Sequence, residues 1–135
     1  MAGLIKARAM QLYYHYCHNL VKGPMFQQDH GFFNDSYTAL ETDYDSLAEY
    51  FVSLNGNSSF KTKQVTELVL AELEGLAVEK MPADDMYKEA VKMEEEYQKY
   101  LTAINKAGPL GLQNLVQGLA TASDVRLYKI KQRLG

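Results

Sequence analysis

Histidine, aspartate and glutamate side chains give this sequence its clearest potential for metal-binding chemistry. All three histidines, His15, His18 and His30, fall within the first 30 of the 135 residues. Asp45 and Glu49 follow at a spacing of four residues, which places both carboxylates on one face of a helix. Two carboxylates in this arrangement can hold a hard or borderline cation together with an imidazole. The spacing therefore predicts a metal site.

One copy of the chain cannot bring all these groups to one metal. No histidine follows any glutamate, which excludes the Glu-x-x-His pattern of single-chain di-iron bundles. His30 lies fifteen residues before Asp45, about 22 Å away along a helix. His18 precedes the Gly23-Pro24 turn, so an antiparallel hairpin places it beside His30 and equally far from Asp45. Two copies can complete the site if their second helices run antiparallel across a two-fold axis.

Proline and glycine interrupt the sequence at only a few places, and four long helical patterns fill most of the rest. The second and third long segments carry heptad seams, which a strand would not produce. The seams, in order along the four long segments, are Ile5, Ala9, Leu12, Tyr16 and Leu20; Phe33, Tyr37, Leu40, Tyr44, Leu47, Phe51 and Leu54; Met86, Ala90, Met93, Tyr97, Tyr100 and Ile104; and Leu112, Val116, Leu119, Ser123, Leu127, Ile130 and Leu134.

The connections between these segments predict the topology. Gly23-Pro24 and Gly108-Pro109 allow only tight turns, which makes two antiparallel hairpins. The 27 residues from Asn55 to Met81 are long enough for a crossover, and they contain apolar residues at the spacing of a short amphipathic helix: Val65, Leu68, Val69, Leu73 and Leu76. We therefore predict an all-α, ferritin-like four-helix bundle in a single domain over residues 1–135, with a short extra helix in the crossover.

Composition narrows the class of protein. The chain is 47% hydrophobic and 23% charged, as in a globular domain, and its net charge of −3 weakens any expectation of a basic nucleic-acid-binding surface. Its single cysteine, Cys17, cannot form an internal disulfide and is expected to be a small apolar filler. The first ten residues lack the apolar run of a signal peptide or a membrane span, so we expect a cytoplasmic protein that does not engage membranes.

The stretch from His18 to Glu49 resembles the mini-ferritins of the Dps (DNA protection during starvation) family. The resemblance lies in a histidine followed by the Gly23-Pro24-Met25-Phe26 turn, a second histidine twelve residues after the first, and Asp45-Ser46-Leu47-Ala48-Glu49 fifteen residues later. The helix plan with its long linker extends the resemblance over the whole chain. The residue types, their spacing and the two-chain geometry each support this resemblance independently.

This resemblance implies a shell of twelve subunits with a ferroxidase centre at each two-fold interface. Iron is the implied metal: Fe(II) is oxidised by hydrogen peroxide or oxygen, and the Fe(III) mineral is stored inside, which protects against oxidative damage. His18 and His30 would be ligands from one subunit, and Asp45 and Glu49 would be the carboxylates from the other. An imidazole and carboxylate set of this kind suits a transition metal better than calcium or magnesium.

The sequence departs from the family pattern in three places. Asn34, a weaker neutral ligand, stands where the family commonly has an aspartate, which weakens the second metal position. Asn19 stands where the family often has a tryptophan. No acidic residue precedes Asp124 in the last helix, although acids near its start often line the family's iron pores.

Other interpretations stay open on the sequence alone. Asp45 and Glu49 on their own would be a solvated helix edge, and His15 is expected to be structural. DNA binding is not expected, because the chain has no lysine-rich tail outside the helices. The alternatives to iron oxidation are a Dps-like protein that compacts DNA and a helical assembly protein without an active metal centre.

Overall fold

The computed structural model describes residues 1–135 and contains helices but no strands, which confirms the predicted all-α class. Short 3-10 helices at Asn57–Ser59 and Val78–Lys80 flank the third α-helix. None of the helices is both long enough and apolar enough to cross a membrane. The five α-helices are α1 (Ala2–Leu20), α2 (Phe26–Asn55), α3 (Thr62–Leu73), α4 (Ala83–Ala107) and α5 (Leu110–Leu134).

The two predicted turns use their glycines for different reasons. Gly23, between α1 and α2, has a φ of +115°, a conformation that a residue with a Cβ atom rarely adopts. Gly108, between α4 and α5, does not have a positive φ, so it is not a left-handed helix cap. A Cβ atom at Gly108 would lie 2.9 Å from Leu112 Cδ2. The same Cβ atom would lie 3.1 Å from the backbone oxygen of Ile104, so close packing, and not backbone handedness, favours glycine at this position.

The chain divides into two compact units, Met1–Ala83 and Asp84–Gly135. In the first unit, α1 and α2 form an antiparallel hairpin, since His18 contacts His30 near the turn while Arg8 lies over Tyr44 farther away. The crossover helix α3 packs on α1 of its own chain. Lys6 Nζ lies 3.0 Å from Glu72 Oε2, and the side chain of Lys6 is only 5% exposed.

The buried face of α1 matches the predicted seam only in the first half of the helix, where Ile5 and Ala9 are buried. Tyr16 and Leu20, which the seam places in the core, are 46% and 43% exposed. In the second half the buried residues include Met10, Tyr13, Tyr14 and Cys17, on another side of α1. Because α1 is apolar on more than one side, its period alone does not identify the side that packs.

The ends of two other predicted patterns also differ. Leu54, at the end of the α2 seam, is 54% exposed. Leu76 was predicted on the crossover helix, but α3 ends at Leu73 and Gly75 then adopts a φ of +83°. Val65 and Val69 are buried on one face of α3, while Leu68 and Leu70 are exposed. The amphipathic crossover helix is therefore present, and only part of its apolar surface is covered within the chain.

In the second unit, a buried ionic cluster joins α4 to α5. Glu94 is fully buried, and its two carboxylate oxygens accept hydrogen bonds from Arg126 Nε at 2.7 Å and Arg126 Nη2 at 3.0 Å. Ser123 Oγ also donates to Glu94 at 2.7 Å, and Gln98 Nε2 donates to Ser123 Oγ at 3.0 Å. A serine is accommodated at this predicted core position because its hydroxyl donates a hydrogen bond to the buried carboxylate of Glu94.

We expect Arg126→Met to lower the free energy of unfolding by about 3–5 kcal/mol, because Glu94 would lose its bidentate cationic partner while staying buried. Lys92→Ala is the control, since Lys92 lies 3.9 Å from Glu89 and is 77% exposed; it should cost at most about 1 kcal/mol. Chemical denaturation at one fixed subunit concentration measures both. Equal losses of unfolding free energy in Arg126→Met and Lys92→Ala would contradict the prediction that the buried Glu94–Arg126 pair matters more for stability than an exposed pair.

Candidate metal site

The α1–α2 hairpin brings His18 and His30 into direct contact. Their imidazole rings stack with centroids 3.9 Å apart and an interplanar angle of 27°. The turn is short because the chain leaves α1 through the buried residue Val21, reverses at Gly23 and enters α2 at Phe26. Phe26 N–H donates to Gly23 O at 3.1 Å and closes the turn. We call His18 and His30 the imidazole half-site.

The hydrogen bond of His18 determines which of its nitrogens can bind a metal. His18 Nδ1 lies 3.2 Å from the backbone oxygen of His30. A carbonyl oxygen only accepts, so Nδ1 carries the proton in this contact. In the neutral ring, Nε2 then holds the free lone pair. Metal-binding histidines commonly have this arrangement, in which one nitrogen donates to a carbonyl and the other binds the ion.

Three further aromatic or imidazole rings hold the half-site in place. Phe26 stacks on His30 at 5.1 Å. Tyr37 lies edge-on to His18 at 5.4 Å and stacks on His15 at 4.1 Å, with an interplanar angle of 15°. His15, expected to be structural, thus contacts Tyr37 and lies at the exposed end of the row. The row restricts the rotamers of both candidate ligands, as a preorganised site requires.

Phe26 and Tyr37 are neighbours of the site that were not predicted from the sequence. Tyr37 was placed in a core seam, but it is only half-buried. The available signal was spacing, because Phe26 lies four residues before His30 and Tyr37 seven residues after it. Both separations bring side chains to nearly the same face of a helix as His30.

Asp45 and Glu49 lie farther along α2, and both are exposed. We call them the carboxylate half-site. Neither side chain has a hydrogen bond or an ion pair within the chain. Because α2 is one uninterrupted helix, Asp45 lies about 22 Å from His30 along its axis. The single chain brings together no group of three histidine, cysteine, aspartate or glutamate side chains that could hold a metal ion.

Asn34, the predicted weak ligand, lies one turn after His30 and is half-buried. Its amide nitrogen is 3.5 Å from Asp35 Oδ1, at the limit of a hydrogen bond, and its backbone oxygen accepts from Thr38 Oγ1 at 2.9 Å. The side chain amide is therefore only weakly held. It is placed on the same side of α2 as His30, since a step of four residues rotates a helical position by about 40°.

Charge along α2 adds a further property of this region. The helix carries six acidic residues and neither lysine nor arginine. Asp29 and Asp43 are buried, whereas Asp35, Glu41, Asp45 and Glu49 are exposed. Glu41, Asp45 and Glu49 follow one another at steps of four, so like charges are neighbours on one face. Such a surface attracts cations, and a divalent ion would offset the repulsion between its carboxylates.

Comparison with protein families identifies a relationship that covers most of the chain. A family model described as "Ferritin: Ferritin-like domain" matches residues 6–109. A search of curated proteins found no match. Four long helices, with one short helix between the second and the third, agree with a ferritin-like four-helix bundle plus an extra helix. The predicted fold class is therefore confirmed.

Cys17, next to His18, does not belong to either half-site. It is fully buried, as expected for an apolar filler, and burial raises the pKa of its thiol from 9.0 to about 12, although a hydrogen bond with Tyr13 lowers it in part. The thiolate, which is the form that binds metals and attacks electrophiles, is therefore disfavoured near neutral pH.

We expect Cys17 to react with an alkylating reagent far more slowly in the folded protein than in denaturant at pH 8. Because its folded pKa is raised, the free energy of unfolding should be fully retained below about pH 9 and should fall as the pH rises toward 12. Alkylation followed by mass spectrometry measures the first effect, and denaturation between pH 8 and 11 measures the second. Equal alkylation rates in the two states would contradict the burial of the thiol.

Proposed function

From the premise that this chain belongs to the ferritin-like family, we propose that it is a Dps-type iron-oxidising and iron-storing protein. Its ferroxidase centre would form between two subunits, and iron would be its substrate and cargo. The observation that carries the proposal is the separation of two complementary half-sites on one rigid hairpin. His18 and His30 are stacked at its turn, whereas Asp45 and Glu49 lie unpaired about 22 Å and about 28 Å away along α2.

A two-fold axis would join the half-sites without any change in the fold. If two α2 helices pair antiparallel with His30 opposite Asp45 of the partner subunit, the same symmetry places Asp45 opposite the partner's His30. The axis then passes near Tyr37 and Thr38, midway between His30 and Asp45. Each dimer would contain two equivalent sites. The exposure of both carboxylates supports this pairing, because they are available to a second chain.

The donor set suits the proposed chemistry. Two imidazole nitrogens and two carboxylates form a mixed set that binds Fe(II), and the anionic oxygens stabilise Fe(III) as it forms. Two Fe(II) ions supply two electrons to one hydrogen peroxide molecule, which takes up two protons and yields two Fe(III) ions and two water molecules. Because both electrons come from iron, this reaction releases no hydroxyl radical. Oxygen would be the alternative oxidant.

We further propose that the dimers assemble into a closed shell of about twelve subunits that holds the ferric mineral. Exposed apolar side chains on both units supply surface for such contacts, among them Leu70 at 61% and Leu110 at 80% exposure. DNA binding is not part of the proposal, since the chain carries a net charge of −3, whereas nucleic-acid-binding domains usually present a basic surface. A shell that compacts DNA, or one that has lost its metal centre, would be distinguished by Fe(II) oxidation no faster than in buffer.

We expect His18→Ala to reduce peroxide-dependent Fe(II) oxidation at least tenfold while the particle mass stays unchanged, because the substitution removes a ligand but no core side chain. Asn19→Ala is the matched control, since Asn19 is exposed next to His18 and belongs neither to a half-site nor to the row of rings. Stopped-flow absorbance of Fe(III) and light scattering give the two readouts. Unchanged oxidation in His18→Ala would refute the site.

Mixing two inactive variants tests whether the site is shared between chains. His18→Ala breaks the imidazole half-site and Asp45→Asn breaks the carboxylate half-site. In a mixed dimer, one site has both defects and the other has none. If subunits are dissociated and reassembled at equal amounts, about half of the dimers are mixed, so about a quarter of wild-type oxidation should return. No recovery, despite mixed assembly shown by mass spectrometry, would place the site within one chain.

A further inference from the structure

A groove lies between α1 and α3 in the first unit, and none of the residues that line it belongs to either half-site. Its volume is about 420 Å³, within the range of about 300–1,000 Å³ that is typical of small-molecule sites in proteins. The buried residues Tyr44, Val65 and Val69 form its base, whereas Leu70 on its rim is 61% exposed. We call this mainly apolar space the α1–α3 groove.

Arg8 lines the α1–α3 groove and has no carboxylate partner within the chain. The other two arginines of the chain each form an ion pair with a carboxylate. The guanidinium of Arg8 instead lies over the Tyr44 ring, 3.7 Å from its centroid, and its Nη1 donates to Gln11 Oε1 at 2.7 Å. An arginine has five N–H donors in a planar fork, so donors of Arg8 remain for a ligand.

The contacts of Arg8 also fix its position before any ligand binds. The ring of Tyr44 supports the face of the guanidinium, and the hydrogen bond to Gln11 limits its rotation. A donor that is already held in place loses less conformational entropy when it binds an anion. Arg8 is therefore a preorganised cation at the wall of an apolar groove.

The N-terminus of α3 adds a second positive feature on the opposite wall. Thr62, the first residue of α3, also lines the groove. Lys61 before it provides no side-chain cap, and the first turn of α3 contains no acidic residue. The unbonded N–H groups of such a turn and the helix dipole favour a negative charge. Both walls of the groove thus favour an anion.

We propose that the α1–α3 groove binds a small amphipathic carboxylate. The carboxylate group would accept hydrogen bonds from the remaining donors of Arg8, because the planar guanidinium fork matches the geometry of a carboxylate. The hydrocarbon part would lie on Val65, Val69 and Leu70, where its burial removes apolar surface from water. A monocarboxylate suits this site better than a polyanion, since a single arginine faces a mainly apolar lining.

This site does not depend on the proposed iron chemistry, because it uses no residue of the two half-sites. The rival occupant of the groove is a second copy of the chain, whose side chains would fill it on assembly. A groove filled in that way would be closed to small molecules in the assembled protein. The assembled protein is therefore the form in which binding must be measured.

Equilibrium dialysis of the assembled protein against radiolabelled octanoate, with a chelator present, tests the proposal. We expect saturable binding of about one octanoate per subunit. Arg8→Met should weaken this binding about tenfold, because the apolar lining remains but the charge-assisted hydrogen bonds are lost. Arg133→Met is the matched control, since Arg133 also lies over a tyrosine ring, at 5.0 Å, but belongs to the second unit. Octan-1-ol, the neutral ligand of equal chain length, should bind more weakly than octanoate.

Thr66→Phe tests the groove without removing the charge of Arg8. Thr66 lines the groove, is exposed, and uses its hydroxyl to donate to the backbone oxygen of Thr62 at 2.9 Å. A phenyl ring at this position should fill the groove and weaken octanoate binding about tenfold, while α3 stays folded. Thermal unfolding of each variant without ligand checks that the fold is retained.

Three results would each overturn the proposal. Equal octanoate binding in Arg8→Met and the wild type, or octan-1-ol bound as tightly as octanoate, would show apolar adsorption without recognition of an anion. Unchanged binding in Thr66→Phe would place the bound octanoate outside the groove. The absence of octanoate binding to the assembled wild type would show that the groove is closed, as expected if a second copy of the chain fills it.

Discussion

The uninterrupted course of α2 is the constraint on which the proposed metal chemistry depends. An α-helix rises by about 1.5 Å per residue, so the 15 residues from His30 to Asp45 hold their side chains about 22 Å apart. No change of side-chain rotamer can close that distance. A centre that uses both half-sites therefore requires a second copy of the chain. The proposed oxidation of iron would thus depend on assembly of the subunits.

The hairpin turn between α1 and α2 positions the two candidate histidine ligands relative to each other. Gly23 allows a short reversal between α1 and α2, and this brings His18 and His30 into ring contact. The row of rings from Phe26 to His15 then limits their rotation. Since His18 Nδ1 donates a hydrogen bond to the His30 carbonyl, Nε2 can bind a metal without a change of tautomer. The imidazole half-site is thus organised within one chain before any partner or metal arrives.

Glu94 in the second unit and the acidic face of α2 in the first have opposite surroundings. Glu94 is buried in the second unit, where Arg126 and Ser123 satisfy both of its oxygens. No other buried polar side chain in the structure lacks a hydrogen-bond partner either. The carboxylates of Glu41, Asp45 and Glu49 in the first unit have no such partner and lie on a helix without basic residues. The first arrangement stabilises a fold, whereas the second is suited to binding cations.

The helices, their turns and the spacing of the candidate ligands could be predicted from the sequence, because glycine, proline and the 3.6-residue period act locally. The sequence predicted the contact between His18 and His30 for the same reason, since a short turn leaves one antiparallel arrangement. It could not identify the buried side of α1, the stacking of Tyr37 on His15, or the role of Ser123 beside Glu94. Those features depend on which faces meet, and several faces of one helix can satisfy the same period. The choice among these faces is made in the folded chain, because close packing and side-chain hydrogen bonds form between helices and not within one helix.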